Sequence, residues 1–116
     1  MAFKQFTYEV KESTDETGWI TTTIFCRGKL VAEDTTEFRA LVSPLIVRGG
    51  HIILDFSELQ FLDSSGLGTV VSLKVSSINR GLCKLGLVNF TPRIEKLLLL
   101  TNLFELFSGQ VPTHLM

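Results

Sequence analysis

The segment Phe61-Leu62-Asp63-Ser64-Ser65-Gly66-Leu67-Gly68 gathers the groups of this chain whose types and spacing could do chemistry. A carboxylate, two consecutive hydroxyls and a Gly-Leu-Gly follow an apolar run, Ile52-Ile53-Leu54, and precede a stretch with helical periodicity. That places them at a helix N-terminus, which carries about half a positive charge and several unpaired N–H donors. Such a terminus tolerates a phosphate. Gly66 and Gly68 are poor helix formers and have no side chain to shield the backbone, so they leave it open to another molecule. A blander reading makes Asp63 or Ser64 an N-cap and lets the glycines relieve crowding. Capping needs one of the three polar residues. It does not account for two serines followed by Gly-Leu-Gly.

Other signals are weaker. Gly-Leu-Gly is not a nucleotide fingerprint, since no Gly-Lys-Ser/Thr follows it, and there is no Gly-x-Ser-x-Gly elbow. The histidines are His51 and His114. His51 opens the apolar run and Ser64 lies beyond its far end; five strand residues at ~3.3 Å each already separate them by about 16 Å. No catalytic residue is therefore expected. Asp55 and Glu58 could pair as acid and base, but such residues are more often a strand-end turn and a solvated charge. Trp19 reads as a packing residue, and His114 lies in the tail. Cys26 and Cys83 sit in apolar runs without zinc spacing, which reads as two buried free thiols in a reducing cytoplasm. No metal or cofactor is expected.

The elements that must position this segment follow from the pattern. Phe3 to Val10 is a strand candidate, Ser13 to Gly18 a polar turn, and Trp19 to Phe25 a β-branched strand with Ile20, Thr22, Ile24 and Cys26 on one face. Gly28 is expected to close that strand. A helix begins near Asp34, where Asp34 and Glu37 resemble a capping box, and Phe38, Leu41, Val42, Leu45 and Ile46 form its apolar face. Pro44 predicts a kink or an early end. Ile52-Ile53-Leu54 suggests a central strand buried on both faces. A second helix spans about Ser64 to Arg80, with Leu67, Val70, Val71, Val75 and Ile78 as its stripe and Gly81 as its stop. Leu82 to Phe90 is a strand. Thr91 and Pro92 start a third helix, Asn102 suits its left-handed end, and Leu103 to Phe107 is a last short strand or helix. The order ββαβαβα plus a terminal element, with a parallel crossover around the second helix, gives an α/β domain with a mixed sheet covered by helices.

Composition narrows the function. The 116 residues are enough for one domain with its own core, expected to occupy about residues 5–107. Hydrophobic residues make up 45% and charged residues 20%, which excludes a disordered tail. Eleven basic residues against twelve acidic ones give a formal charge of −1, with no basic surplus for nucleic-acid phosphates. No apolar run approaches the ~18–20 residues that span a bilayer, and MAFKQFTYEV lacks a signal-peptide core.

The stretch HIILDFSELQFLDSSGLG, followed by KLGLVNFTPRIEKLLLLTNLFELF, resembles STAS domains, in particular the bacterial anti-sigma factor antagonists. The resemblance covers about residues 17–107. It implies a mixed sheet of four or five strands with helices packed on it. It also implies a cytoplasmic protein-binding switch that is not an enzyme. By resemblance, Ser64 is the phosphorylated serine, and Asp63, Ser65, Gly66, Leu67 and Gly68 surround it as partner-binding residues. The partner would be an anti-sigma factor that is itself the serine kinase, bound when Ser64 is unphosphorylated so that a sigma factor is freed, with a phosphatase resetting the system. Nucleic acid and membrane are not implied as direct partners. Asn102 stands where many members carry Gly, and Val31 where many antagonists carry an Asp near the serine. STAS domains also serve as non-phosphorylated subunits of lipid-transport or stressosome-like assemblies, the alternative for this chain.

Overall fold

Strand-forming sequence at both ends of a polar turn sets the first step of the fold. In the computed structural model, which describes residues 5–108, β1 (Phe6–Thr14) and β2 (Ile20–Leu30) form an antiparallel hairpin. Asp15 organises the turn: its Oδ1 accepts from Thr17 N at 2.8 Å, Thr17 Oγ1 at 2.6 Å and Trp19 N at 3.0 Å. β1 lies further along the chain than expected, and Phe3 and Lys4 are outside the described residues. Trp19 is not part of the core; it is 42% exposed beside the turn.

Gly28 does not close β2. It has φ 88°, a left-handed conformation, and a Cβ there would meet Gln5 O at 1.9 Å. Glycine admits this close approach, and Lys29 N donates to the same carbonyl at 2.9 Å. The strand shifts register against β3 at this point and runs on to Leu30. That extension carries β2 to the candidate site.

A short 3-10 turn (Ala32–Asp34) leads into α1 (Thr35–Arg48). Asp34 makes no side-chain cap to α1; its carboxylate accepts from Val31 N at 3.3 Å instead. The helix also runs through Pro44 rather than ending there. Ala40, whose carbonyl Pro44 leaves without an intrahelical donor, is exposed, so water can replace the lost bond. Phe38, Val42 and Ile46 form the buried stripe.

β3 (Gly50–Leu62) is interior, in the order β1-β2-β3-β4, and parallel to both β2 and β4 (Cys83–Val88). Ile52 and Leu54 are buried but Ile53 is only half-buried, so one face of the strand is less covered than the apolar run suggests. α2 (Ser64–Arg80) links β3 to β4 as the expected crossover and ends on Gly81 at φ 74°. α3 (Pro92–Leu100) starts as expected: Thr91 Oγ1 accepts from Ile94 N at 3.4 Å and Pro92 takes the first turn. Asn102, at φ 60°, ends it in the left-handed conformation. The last element is a helix, α4 (Phe104–Ser108), which buries Phe107 completely. The fold is thus an α/β arrangement with a four-stranded mixed sheet covered by helices. Among the described residues, no helix is long and apolar enough to cross a membrane.

The buried face of α2 differs from the expected stripe. Gly66, Thr69, Val70, Leu73, Lys74 and Ser77 face inward, while Val75 and Ile78 are exposed. The spacing is still helical, but the helix is rotated because Gly66 is pressed against β2.

Candidate functional site

At the carboxyl end of β3 the chain leaves the sheet at Asp63, whose backbone is extended (φ −89°, ψ −178°), and enters α2. Asp63 Oδ1 accepts from Gly66 N at 2.7 Å, which caps the helix. Its Oδ2 accepts from Ala32 N at 3.0 Å. Its own N–H donates to Leu30 O at 3.4 Å. One residue therefore ties β3, the end of β2 and the first turn of α2 together. Both carboxylate oxygens are engaged, so Asp63 is a positioning residue.

Gly66 is closed rather than open. It is buried, and a Cβ would sit 2.2 Å from Leu30 O and 3.3 Å from a Leu62 methyl. Its lack of a side chain serves close packing, so the crowding reading wins for this glycine and it is not backbone offered to a partner. Gly68 is the opposite case: it is exposed, with nothing within 4 Å of the Cβ it lacks. Leu67 is half-buried. Ser64 and Ser65 are both exposed, and as the first two helical residues their N–H groups lie outside the helical ladder. The structure thus places Asp63 to Gly68 at the cap and start of α2, with two free hydroxyls at the positive end of a 17-residue helix.

No base faces these hydroxyls from the places the sequence suggested. His51 lies near the other end of β3, eleven residues before Leu62 or roughly 36 Å along a strand. It is half-buried, and burial together with the Lys84 and Lys74 charges holds its pKa below the usual value. His114 is outside the described residues. Asp55 is buried and structural: Oδ1 accepts from Ser57 N at 2.9 Å and Oδ2 from Asn89 Nδ2 at 3.0 Å. Glu58 is an exposed carboxylate 3.3 Å from Arg27 Nε. Cys26 and Cys83 are buried free thiols, and burial, with the Asp55 charge, pushes Cys26 up to about 12. Among the described residues, no three His, Cys, Asp or Glu side chains gather to hold a metal.

Leu30 and Ala32 belong to the site's frame, although nothing in their residue types announces it. They contribute backbone groups, which any residue supplies. Asn89, at φ 56°, was equally silent; asparagine tolerates that conformation and here aims its amide at Asp55.

Comparison with known proteins agrees with this fold. The STAS domain model matches residues 9–115. No curated protein matches the chain significantly. Among solved structures, the Bacillus cell fate determinant SpoIIAA in its phosphorylated form is similar at 27% identity, with TM-score 0.65, covering 85% of this chain and 86% of that one. An anti-sigma factor antagonist from Mycobacterium paratuberculosis is 20% identical, with TM-score 0.67, covering 88% and 82%. The murine Solute Carrier 26 family member A9 anion transporter shares the fold at 17% identity and TM-score 0.59, covering 89% of this chain but 19% of the transporter. With its Asp-Ser-Ser-Gly-Leu-Gly turn at the head of α2 and the family model matching nearly its whole length, the chain belongs to the STAS domain family.

Proposed function

We propose that the protein is an anti-sigma factor antagonist, a non-enzymatic binding switch controlled by phosphorylation of Ser64. The observation that carries this reading is the exposed Ser64 hydroxyl at the first position of α2, next to a carboxylate already committed to holding the turn. The kinship with SpoIIAA, a relative known in a phosphorylated form, supports it. The partner would be an anti-sigma factor with serine kinase activity, countered by a phosphatase, in the cytoplasm. Ser65, Leu67 and Gly68 would form the contact face, and Asp63 and Gly66 would hold it in shape.

The electrostatics make a switch of this kind work. A phosphate adds about −1.5 to −2 charge, taking the formal charge from −1 to roughly −3. The helix N-terminus favours it by ~0.3–1 kcal/mol and the neighbouring Asp63 charge opposes it, so the fold changes little. A partner docked over Ser64 and Gly68 would have to desolvate an unmatched dianion, which costs several kcal/mol. Val31, in place of an Asp, favours a second reading: a constitutive STAS subunit of a lipid-transport or stressosome-like assembly.

The test is partner affinity for Ser64→Ala, Ser64→Asp and the kinase-treated protein, with the modified residue mapped by mass spectrometry. Ser64→Ala retains binding, and Ser64→Asp or phosphorylated Ser64 loses at least about tenfold, ~1.4 kcal/mol. Thermal stability stays nearly unchanged. Phosphate on Ser65 alone, or equal affinity for Ser64→Asp, leaves the constitutive reading.

A further inference from the structure

One residue before Asp63, the surface changes character. Leu62, buried, and Ile94, buried on α3, floor an open groove of about 200 Å³. Its walls are Phe61, Leu97 and Leu100; Phe61 is 39% and Leu100 73% exposed, and the three line one continuous apolar groove. Arg93 and Lys96, both exposed, complete the lining. No acidic residue lines the groove, and among the described residues neither cation has an ion-pair partner; the ion pairs instead gather on the β1–β2 side, with Arg27 and Arg48. On α3 the cations and leucines fall at 93, 96, 97 and 100, the spacing of one helix face.

We propose that this groove docks an acidic amphipathic segment of a protein partner, whose apolar anchor enters between Phe61, Leu97 and Leu100 and whose carboxylates meet Arg93 and Lys96. This rests on reading the chain as an interaction module, and not on phosphorylation of Ser64. The groove is smaller than the roughly 300–1,000 Å³ of a small-molecule site, which suits an anchoring side chain rather than an enclosed ligand. Two cations fall short of the 4–8 that mark an anionic membrane contact, and a concave groove does not present its apolar atoms to a flat surface. A second copy related by two-fold symmetry would bring the same patch against itself, Arg93 and Lys96 included, which like charges oppose.

The test uses the full chain with Ser64→Ala as reference, so that its outcome is independent of the switch. The probes are an amphipathic helical peptide with leucines at every third or fourth position and glutamates between, and the same peptide with lysines replacing the glutamates. Binding is read by fluorescence anisotropy and located by amide chemical shifts. The glutamate peptide binds at least about tenfold more tightly than the lysine peptide, a difference of ~1.4 kcal/mol, and shifts the amides of Phe61, Lys96, Leu97 and Leu100. Arg93→Glu combined with Lys96→Glu removes that preference, and Leu100→Gln, at a position already in water, weakens both peptides. Equal binding of the two peptides, no binding of either, or shifts elsewhere on the protein overturns the proposal. Cosedimentation with phosphatidylglycerol vesicles that Leu100→Gln abolishes, or a dimer in sedimentation velocity that the same variant dissolves, overturns it in favour of a membrane or a second copy.

Discussion

The two ends of β3 handle polar groups in opposite ways. At the carboxyl end, Asp63 spends both oxygens on backbone N–H groups, and Ser64 and Ser65 stay in water. Towards the amino end, polar side chains are buried. His51 Nε2 is buried and has no partner among the described residues. Lys74, on α2, is fully buried, with its ammonium donating to Leu85 O on β4. Burial, partly opposed by the negative charge of ionised Cys83, holds its pKa down at about 8. The first end keeps its hydroxyls in water and its carboxylate paired with backbone donors. The second carries charge at a cost, because one carbonyl replaces a shell of water around an ammonium. The contrast teaches that a helix start can leave its hydroxyls in water when a neighbouring carboxylate already satisfies the backbone N–H groups of the turn. A buried cation is instead held by a single backbone carbonyl, with its pKa lowered.

The sharpest way to break the comparison is Gly66→Ala. The new Cβ would overlap the backbone oxygen of Leu30, which cannot rotate away. A loss on the order of 3 kcal/mol is expected in urea denaturation. A variant as stable as the parent would show that the site is not held by this contact.

Lys74 tests the other end. Its folded pKa of about 8 lies below the usual 10.5, so between those values the unfolded chain binds more protons and stability rises with pH. The expected gain from Lys74 across this window is on the order of 3 kcal/mol. Cys26 and Cys83 act in the opposite sense, since raised thiol pKa values make the folded chain hold more protons above pH ~8.5. The measurement is therefore the difference between the parent and Lys74→Met in denaturation midpoints at several pH values. The variant is relatively more stable at pH 7.5 than at pH 10, and a difference that does not vary with pH refutes the assignment.

Asp63→Ala removes the helix cap and the tie to Ala32 together, for about 2 kcal/mol. Asp63→Asn, which keeps one acceptor oxygen, should lose less. Equal losses would mean that the charge, rather than the two-point geometry, carries the effect. Gly68→Ala is the smallest effect and has the opposite sign. With open space at that position it should stabilise α2 by ~0.5–1 kcal/mol. If Gly68 forms part of the contact face, it should weaken partner binding at the same time.

Much of this protein was legible in its residues. Local chemistry announces itself: Gly81 and Asn102 as helix ends, Thr91-Pro92 as a helix start, and Asp-Ser-Ser-Gly-Leu-Gly as the turn of the site all express short-range backbone preferences that need no distant partner. The element order and the interior position of β3 follow from apolar patterning in the same way. Three features were settled only by tertiary structure. Gly28 looked like a strand end, but the approach of Gln5 O made it a bulge inside β2. Pro44 predicts a kink or an early end, and α1 does not end there but packs through it with Phe38, Val42 and Ile46. On α2, periodicity gave the spacing of the buried residues, whereas the contact between Gly66 and Leu30 chose the rotation, turning Lys74 inward and Val75 and Ile78 out. A sequence specifies preferences over a few residues. The phase of a helix against a sheet is set where two backbones touch, and no residue type encodes which carbonyl will be there.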